Sequence, residues 1–171
     1  MGFGDLFSFL KEEGIEAYIV GGFVRDSFMG RACKDIDLAV KADSKTIAME
    51  LAGRFGYKFV PLDVERGIYR LVLGEKDRQL YIDISAIEGD IYRDLTRRDF
   101  AINAMALPVC SSTLETIVSE CKMTPGDVVD PFNGQADLKS HYIRAIDEKV
   151  FISDPARLLR AFRLAAELDF A

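Results

Sequence analysis

The chain has 171 residues, 49% of them apolar, with 22 basic and 28 acidic side chains and a formal net charge of −6. This length and apolar share suit one globular domain with a real core, or one domain plus a fragment, and exclude a disordered chain. The acidic balance argues against a chain that grips RNA phosphates unaided, and a single histidine, His141, excludes a histidine-rich zinc site.

No apolar run reaches the length of a membrane span. Met1 to Leu10 carries no basic stretch before an apolar core, so no secretory signal is expected. Cys33, Cys110 and Cys121 are odd in number and lack metal-type spacing, which fits a reduced, cytoplasmic setting.

In chain order, Leu6 to Gly14 reads as a short amphipathic helix. Tyr18 to Val20 predicts an apolar strand, followed by Gly21-Gly22 and a short helix through Val24, Arg25, Asp26 and Phe28 that Gly30 ends. A second strand carries Asp35-Ile36-Asp37-Leu38-Ala39-Val40. Strand side chains alternate, so Asp35 and Asp37 share one face while Ile36 and Leu38 enter a core. Two carboxylates that close repel each other unless a cation or a proton lies between them. A hard ion such as Mg²⁺ takes carboxylate oxygens and brings substrate phosphates with it. A glycine pair ahead of a helix lets backbone N–H groups approach such phosphates.

Asp43-Ser44 predicts the cap of a helix to about Phe55, closed by Gly56. Strands are expected at Tyr57 to Leu62, Ile68 to Leu73 and Gln79 to Ile87, the last two as an antiparallel hairpin. Asp83 lies between Ile82 and Ile84 and so points away from the core, beside Tyr81 and Ser85. It reads either as an exposed strand acid or as a third carboxylate beside Asp35 and Asp37. Glu88 to Asp94 reads as a polar connection. Arg97-Arg98-Asp99 then precedes Phe100 to Ala106, whose apolar half is helix-compatible. The arginine pair is either solvated or binds phosphate and ribose oxygens, for which guanidinium geometry is suited.

A Ser/Thr-rich turn at Ser111 to Thr113 is expected to join two strands, Thr116 to Val118 lying in the second. Asn133-Gly134 signals a turn, Asp137 could start a short helix, and Ile143 to Ile146 reads as a strand. Finally, Ser153 or Asp154 caps a helix with Pro155 in its first turn. Leu158, Leu159, Phe162, Ala165, Ala166 and Leu168 are expected to form its apolar side. Asp154 and Arg157, three apart, share one helix face; alone, such a pair is most often a surface ion pair.

Taken together, Gly21-Gly22, Val24-Arg25-Asp26, Gly30 and Asp35-x-Asp37 resemble the signature of the DNA polymerase beta nucleotidyltransferase superfamily. More narrowly, they resemble class II tRNA nucleotidyltransferases (CCA-adding enzymes) and bacterial poly(A) polymerases. Arg97-Arg98-Asp99 resembles the family's ribonucleotide-selecting signature, with Ala101 where threonine is usual. The stretch from Asp127 to Ile146 resembles a third signature, whose role is the structural one of joining head to neck. Asp154-x-x-Arg157 resembles the fourth, which reads the Watson–Crick edge of the incoming base, with Ser153 where glutamate is usual. The resemblance runs from about Tyr18 to Phe170.

The resemblance implies an α+β fold: a polymerase-beta-like nucleotidyltransferase head with a mixed, mainly antiparallel sheet flanked by helices. Residues 1–146 would form the head and 147–171 the start of a helical neck, truncated here. It implies transfer of CMP and/or AMP from CTP and/or ATP to the 3′ end of tRNA or another RNA, held mainly by regions outside this chain. Asp35, Asp37 and Asp83 would be catalytic, Asp35 and Asp37 holding Mg²⁺. Gly21, Gly22, Arg25, Arg97, Arg98, Asp99, Asn103, Asp154 and Arg157 would bind the nucleotide. Only Ser85 to Thr96 separates the Asp83 strand from Arg97, and so short a loop resembles enzymes that add the two cytidines alone. Poly(A) polymerase and a non-catalytic nucleotide-binding module remain the alternatives.

Overall fold

The computed structural model describes residues 3–74, 79–109, 126 and 128–170. Helix α1 (Phe3–Glu12) leads into β1 (Ala17–Val20), α2 (Gly22–Phe28) and β2 (Asp35–Val40). Helix α3 (Ser44–Phe55) follows, then β3 (Lys58–Asp63), β4 (Ile68–Leu73) and β5 (Leu80–Ala86). Helix α4 (Ile91–Thr96), a 3₁₀ turn (Ala101–Asn103) and β6 (Ala106–Pro108) come next. The described chain closes with α5 (Gly134–Lys139), α6 (Lys149–Ser153) and α7 (Ala156–Leu168).

The six strands form one sheet in the order β3-β4-β5-β2-β1-β6. β2 and β5 run parallel and every other neighbouring pair is antiparallel, so the mixed, mainly antiparallel sheet flanked by helices is as expected. The parallel pair needs a long crossover, which α3 and the β3–β4 hairpin supply. The Asp43 carboxylate caps α3, accepting from the Thr46 backbone N–H at 2.8 Å, and Gly56 ends it in the left-handed region.

The two sheet faces differ. Ile36, Leu38, Ile82, Ile84, Leu71 and Ile19 pack with Leu6, Phe9, Leu10 and Leu51 in the main core. On the other face, Val20, Ala39, Ala104 and Ala106 pack under Ile87, Ile91 and Leu95. Helix α4 therefore covers one end of that face and leaves Asp35, Asp37 and Asp83 outside the second core.

Several local expectations fail, for identifiable reasons. The polar connection contains α4, whose N-terminus is capped by Asp90 accepting from the Arg93 N–H at 2.8 Å; its buried residues Ile91 and Leu95 are too few to give a legible helical period. Phe100 to Ala106 is not a helix. One 3₁₀ turn gives way to β6, because this backbone is needed to pair with β1. Ile143 to Ile146 is not a sheet strand either. Ala145 makes an isolated bridge with Phe100, and the Ile146 N–H donates to the Asp99 carbonyl at 3.1 Å. Asp137 lies inside the first turn of α5 rather than starting it. The strands expected around Ser111 to Val118 lie outside the described residues.

Helix α7 departs most. Leu164 and Leu168 are its buried residues, whereas Leu159 and Phe162 are 73% and 74% exposed, and Leu158 and Ile152 are exposed beside them. Of the expected apolar side, Leu158, Leu159 and Phe162 thus face outward, while Leu168 is buried as expected. A 3.6-residue stripe shows that a helix has an apolar face but not what covers it.

Candidate active site

Gly21 is the hinge of the site. It connects β1 to α2 with φ +75°, a conformation that L side chains rarely adopt. A Cβ built there would stand 2.9 Å from Asp37 Oδ2 and 3.0 Å from Arg98 Nη1. The bend is thus pressed against one carboxylate of β2 and one guanidinium delivered by the end of α4.

Beside this bend lies a cavity of about 230 Å³ lined by Gly21, Gly22, Asp37, Arg97, Arg98, Asp99, Asn103, Arg157 and Arg160. A second cavity of about 350 Å³ is lined by Asp37 and Arg98 together with Leu62, Asp63, Ile68, Asp83 and Ser85. Asp37 and Arg98 are the residues common to both.

Asp35 and Asp37 are both exposed and share one face of β2. Asp83 is the register partner of Asp37 across the parallel β2–β5 pair. Its carboxylate is held at both oxygens by Arg70 of β4, at 2.6 and 2.7 Å, and the Arg70 guanidinium lies over the Tyr81 ring. Asp37 is exposed as a residue, but its carboxylate Oδ2 lies against the Gly21 bend. Desolvation raises its pKa above the usual carboxylate range; Arg98 opposes the shift, and Asp83 and Asp35 add to it.

A carboxylate whose ionised form is disfavoured in the fold makes the fold least stable where it is charged. Asp37 contributes stability that is complete below its unfolded pKa and lost as pH rises through its raised folded value. Asp37→Asn is therefore expected to melt a few degrees above the parent at neutral pH, with the gain shrinking toward zero below about pH 4. Thermal melts across that range check the sign; an Asn variant less stable at neutral pH would contradict it.

Among the described residues, no group of three or more His, Cys, Asp or Glu is placed to hold a metal on its own. The Asp35–Asp37 pair nonetheless suits a hard divalent cation, which characteristically uses one or two carboxylates and takes its remaining ligands from phosphate and water. The like-charge crowding on Asp37 is what such a cation would relieve.

The arginines are ordered by an acid the sequence reading did not single out. Asp94 of α4, largely buried, meets Arg97 Nη2 at 3.0 Å and Arg98 Nη2 at 3.5 Å. Its spacing of three and four residues on a helix was the available signal. Arg98 Nε is buried and has no hydrogen-bond partner. Arg160 was also missed; it lines the first cavity and approaches Asp99.

Other expected residues lie further off. Arg25 does not line the cavity. Its Nη1 donates to Asn103 Oδ1 at 2.9 Å and its Nε to Asp26 at 2.8 Å, so it supports Asn103 from behind. Asp154 is outside the lining as well. It accepts from the Ala156 N–H at 3.1 Å and stands 3.7 Å from Arg157, which does reach the cavity. Asp130 accepts from the Gly134 and Gln135 N–H groups at 2.7 and 3.0 Å, a structural role at the start of α5.

The family model described as the poly A polymerase head domain matches residues 17–144. The chain belongs to this poly A polymerase head domain family. Within it, the chain is 39% identical over 164 residues to a CC-adding tRNA nucleotidyltransferase of Geobacter sulfurreducens, covering 95% of this chain and 34% of that protein. It is 36% identical to a CC-adding tRNA nucleotidyltransferase of Halalkalibacterium halodurans, over 94% of this chain and 37% of the relative. Among solved structures, a Thermotoga maritima CCA-adding enzyme complexed with tRNA superposes with a TM-score of 0.77 at 36% identity, covering 99% of this chain and 38% of that one. A CCA-adding enzyme complexed with CTP superposes with a TM-score of 0.78 at 36% identity, covering 99% and 37%. This head domain therefore spans little more than a third of the length of such relatives. Nucleotidyltransferases of this kind generally use divalent metal ions.

Proposed function

We propose that this head domain carries the catalytic site for template-independent transfer of CMP and/or AMP from nucleoside triphosphates to the 3′ end of tRNA. The observation that carries this is the Gly21 bend, where a backbone suited to phosphate meets Asp37 and Arg98 at one wall of a cavity. The relatives' names support tRNA over other RNA, and CC-adding relatives support CTP as the first nucleotide.

In this reading, the triphosphate lies along Gly21 and Gly22, with Arg97 and Arg98 as its counter-charges. Arg25 holds Asn103 toward the cavity rather than contacting phosphate itself. Asp99 receives the ribose, and Arg157, kept in place by Asp154, faces the base. The RNA 3′-hydroxyl enters from the Asp83 side of Asp37, loses its proton to solvent as its oxygen bonds to the α-phosphorus, and the bond to the bridging oxygen breaks so that pyrophosphate leaves. Asp35 and Asp37 would hold a divalent ion, Mg²⁺ by the hardness of the oxygen donors, and that ion would supply activation of the hydroxyl and charge neutralisation at the leaving phosphate. With both of its oxygens held by Arg70, Asp83 orders the site beside this pair.

We read residues 147–171 as the start of a helical neck joined to a head of 1–146, supported by the outward apolar face of α7. Among the described residues no helix is long and apolar enough to cross a membrane. Cys33 is unpaired, and burial raises its thiol pKa, which suits a reduced cytoplasmic setting.

The deciding assay supplies tRNA lacking its 3′-terminal CCA with CTP, ATP and Mg²⁺, using this chain within the longer protein. Incorporation of two cytidines is the expected result. Efficient addition of the final adenosine would refute restriction to CC, a long adenosine tail would favour poly(A) polymerase, and metal-dependent nucleotide binding without any product would favour the binding module.

A further inference from the structure

Asp37, Asp83 and Arg70 stand in one row across β2, β5 and β4. Asp37 is the register partner of Asp83, and Asp83 is the register partner of Arg70. Neighbouring strands lie about 4.8 Å apart, so two carboxylates side by side on one face are close enough to share a hard cation. Sites that use two metal ions for an in-line displacement hold them about 3.5–4 Å apart and need acids for both.

Asp83 is already engaged. Arg70 Nε donates to its Oδ1 at 2.6 Å and Nη2 to its Oδ2 at 2.7 Å, so a planar fork closes on both oxygens. The two side chains are 29% and 18% exposed, and the guanidinium carbon lies 4.9 Å from the centroid of the Tyr81 ring. Tyr81 is fixed in turn, its hydroxyl donating to Gln79 Oε1 at 2.8 Å. The neighbouring Arg66–Asp63 pair, at 3.7 Å on the β3–β4 turn, has an exposed arginine and no such support.

The Asp83 hydrogen bonds push the Arg70 pKa up, and the Asp83 and Asp35 charges add to the rise. Arg70 is also among the charges that oppose the rise burial imposes on Asp37. One guanidinium therefore acts on all three acids of this face. A pair that merely tied β4 to β5 would account for the contact, but not for a positive charge set among the acids of the site. The lone pairs of Asp83 that the fork leaves open are poor metal ligands too, because a dication there would stand against the guanidinium.

We propose that Arg70 takes the part of a second divalent cation: by closing on Asp83 it confines metal binding to Asp35 and Asp37, so that the protein site takes one ion rather than two. The inference rests on the reading above that this pair holds the ion.

The test titrates the chain with Mn²⁺, which suits the same oxygen donors, and counts bound ions from the electron paramagnetic resonance signal of the free ion. Nucleotide is left out, so that triphosphate oxygens add no site. The parent is expected to bind one ion and Arg70→Met two. Adding Asp83→Asn to Arg70→Met is expected to return the count to one, since both changes act through one carboxylate. Two ions on the parent, one on Arg70→Met, or a second ion that survives in the double variant overturns the inference. If Arg70→Met does not fold, Asp83→Asn decides: one ion, as in the parent, upholds the inference, and none makes Asp83 a ligand and overturns it. A parent that binds no ion overturns the Asp35–Asp37 reading as well. A parental ion that Asp35→Asn abolishes, beside an unchanged count in Arg70→Met, overturns this step alone.

Discussion

Asp37→Ala is expected to lower nucleotidyl transfer by about three orders of magnitude or more, the several kcal/mol of charge stabilisation that a metal-holding carboxylate commands. The fold should be retained or slightly stabilised. Asp37 carries like-charge neighbours and a desolvated carboxylate, so removing it relieves the fold rather than straining it. Activity and stability should therefore move in opposite directions, which a folding defect cannot produce. Single-turnover assays in the longer protein, paired with thermal melts, check both. Transfer within about tenfold of the parent would remove Asp37 from the site altogether. Asp35→Ala belongs with it, since it shares the β2 face, but it starts the strand and lines neither cavity beside Asp37. Its loss should be of the same kind and no larger.

Gly134→Ala is expected to destabilise the fold by about 3 kcal/mol or more, because the added carbon meets atoms that cannot move aside. The new Cβ would overlap the Ala101 carbonyl oxygen and stand 2.9 Å from its carbon, with Met105 Cγ at 3.2 Å. The first two are backbone atoms of the 3₁₀ turn that follows Arg97-Arg98-Asp99. At roughly 2–4 °C per kcal/mol for a domain of this size, the melting temperature should fall by about 6–12 °C. Gly53→Ala is the control. Gly53 lies inside α3 with nothing within 4 Å of its would-be Cβ, so alanine there should stabilise by about 0.5–1 kcal/mol. A Gly134 variant melting within about 2 °C of the parent would show that α5 can back away from the turn.

These two glycines show where the sequence stops. Asn133-Gly134 reads as a turn signal, yet the glycine is required because α5 packs against a backbone some thirty positions earlier. At Gly21-Gly22 the local pattern was enough: strand, glycine pair, helix and Asp-x-Asp strand predicted the bend and its carboxylates together. The α3 cap, the hairpin of β4 and β5 and the outward face of Asp83 were likewise legible, because each depends on neighbours within a few residues. Helix α4 was not. Its six residues are too few for a period, and its apolar pair matters only against Val20, Ala39 and Ala104 of other elements.

By itself, the sequence determined the order of elements from α1 to β5, the face on which Asp35, Asp37 and Asp83 stand, and the triplet Arg97-Arg98-Asp99. Periodicity and capping are local, and local rules can be read along a chain. The tertiary structure alone decided that Asp83 lies beside Asp37 in register and is held by Arg70, that Arg25 supports Asn103, and that Arg160 crosses to Asp99. Each of these joins residues far apart in the chain, and strand order and helix placement, rather than any spacing in the sequence, bring them within reach of one another.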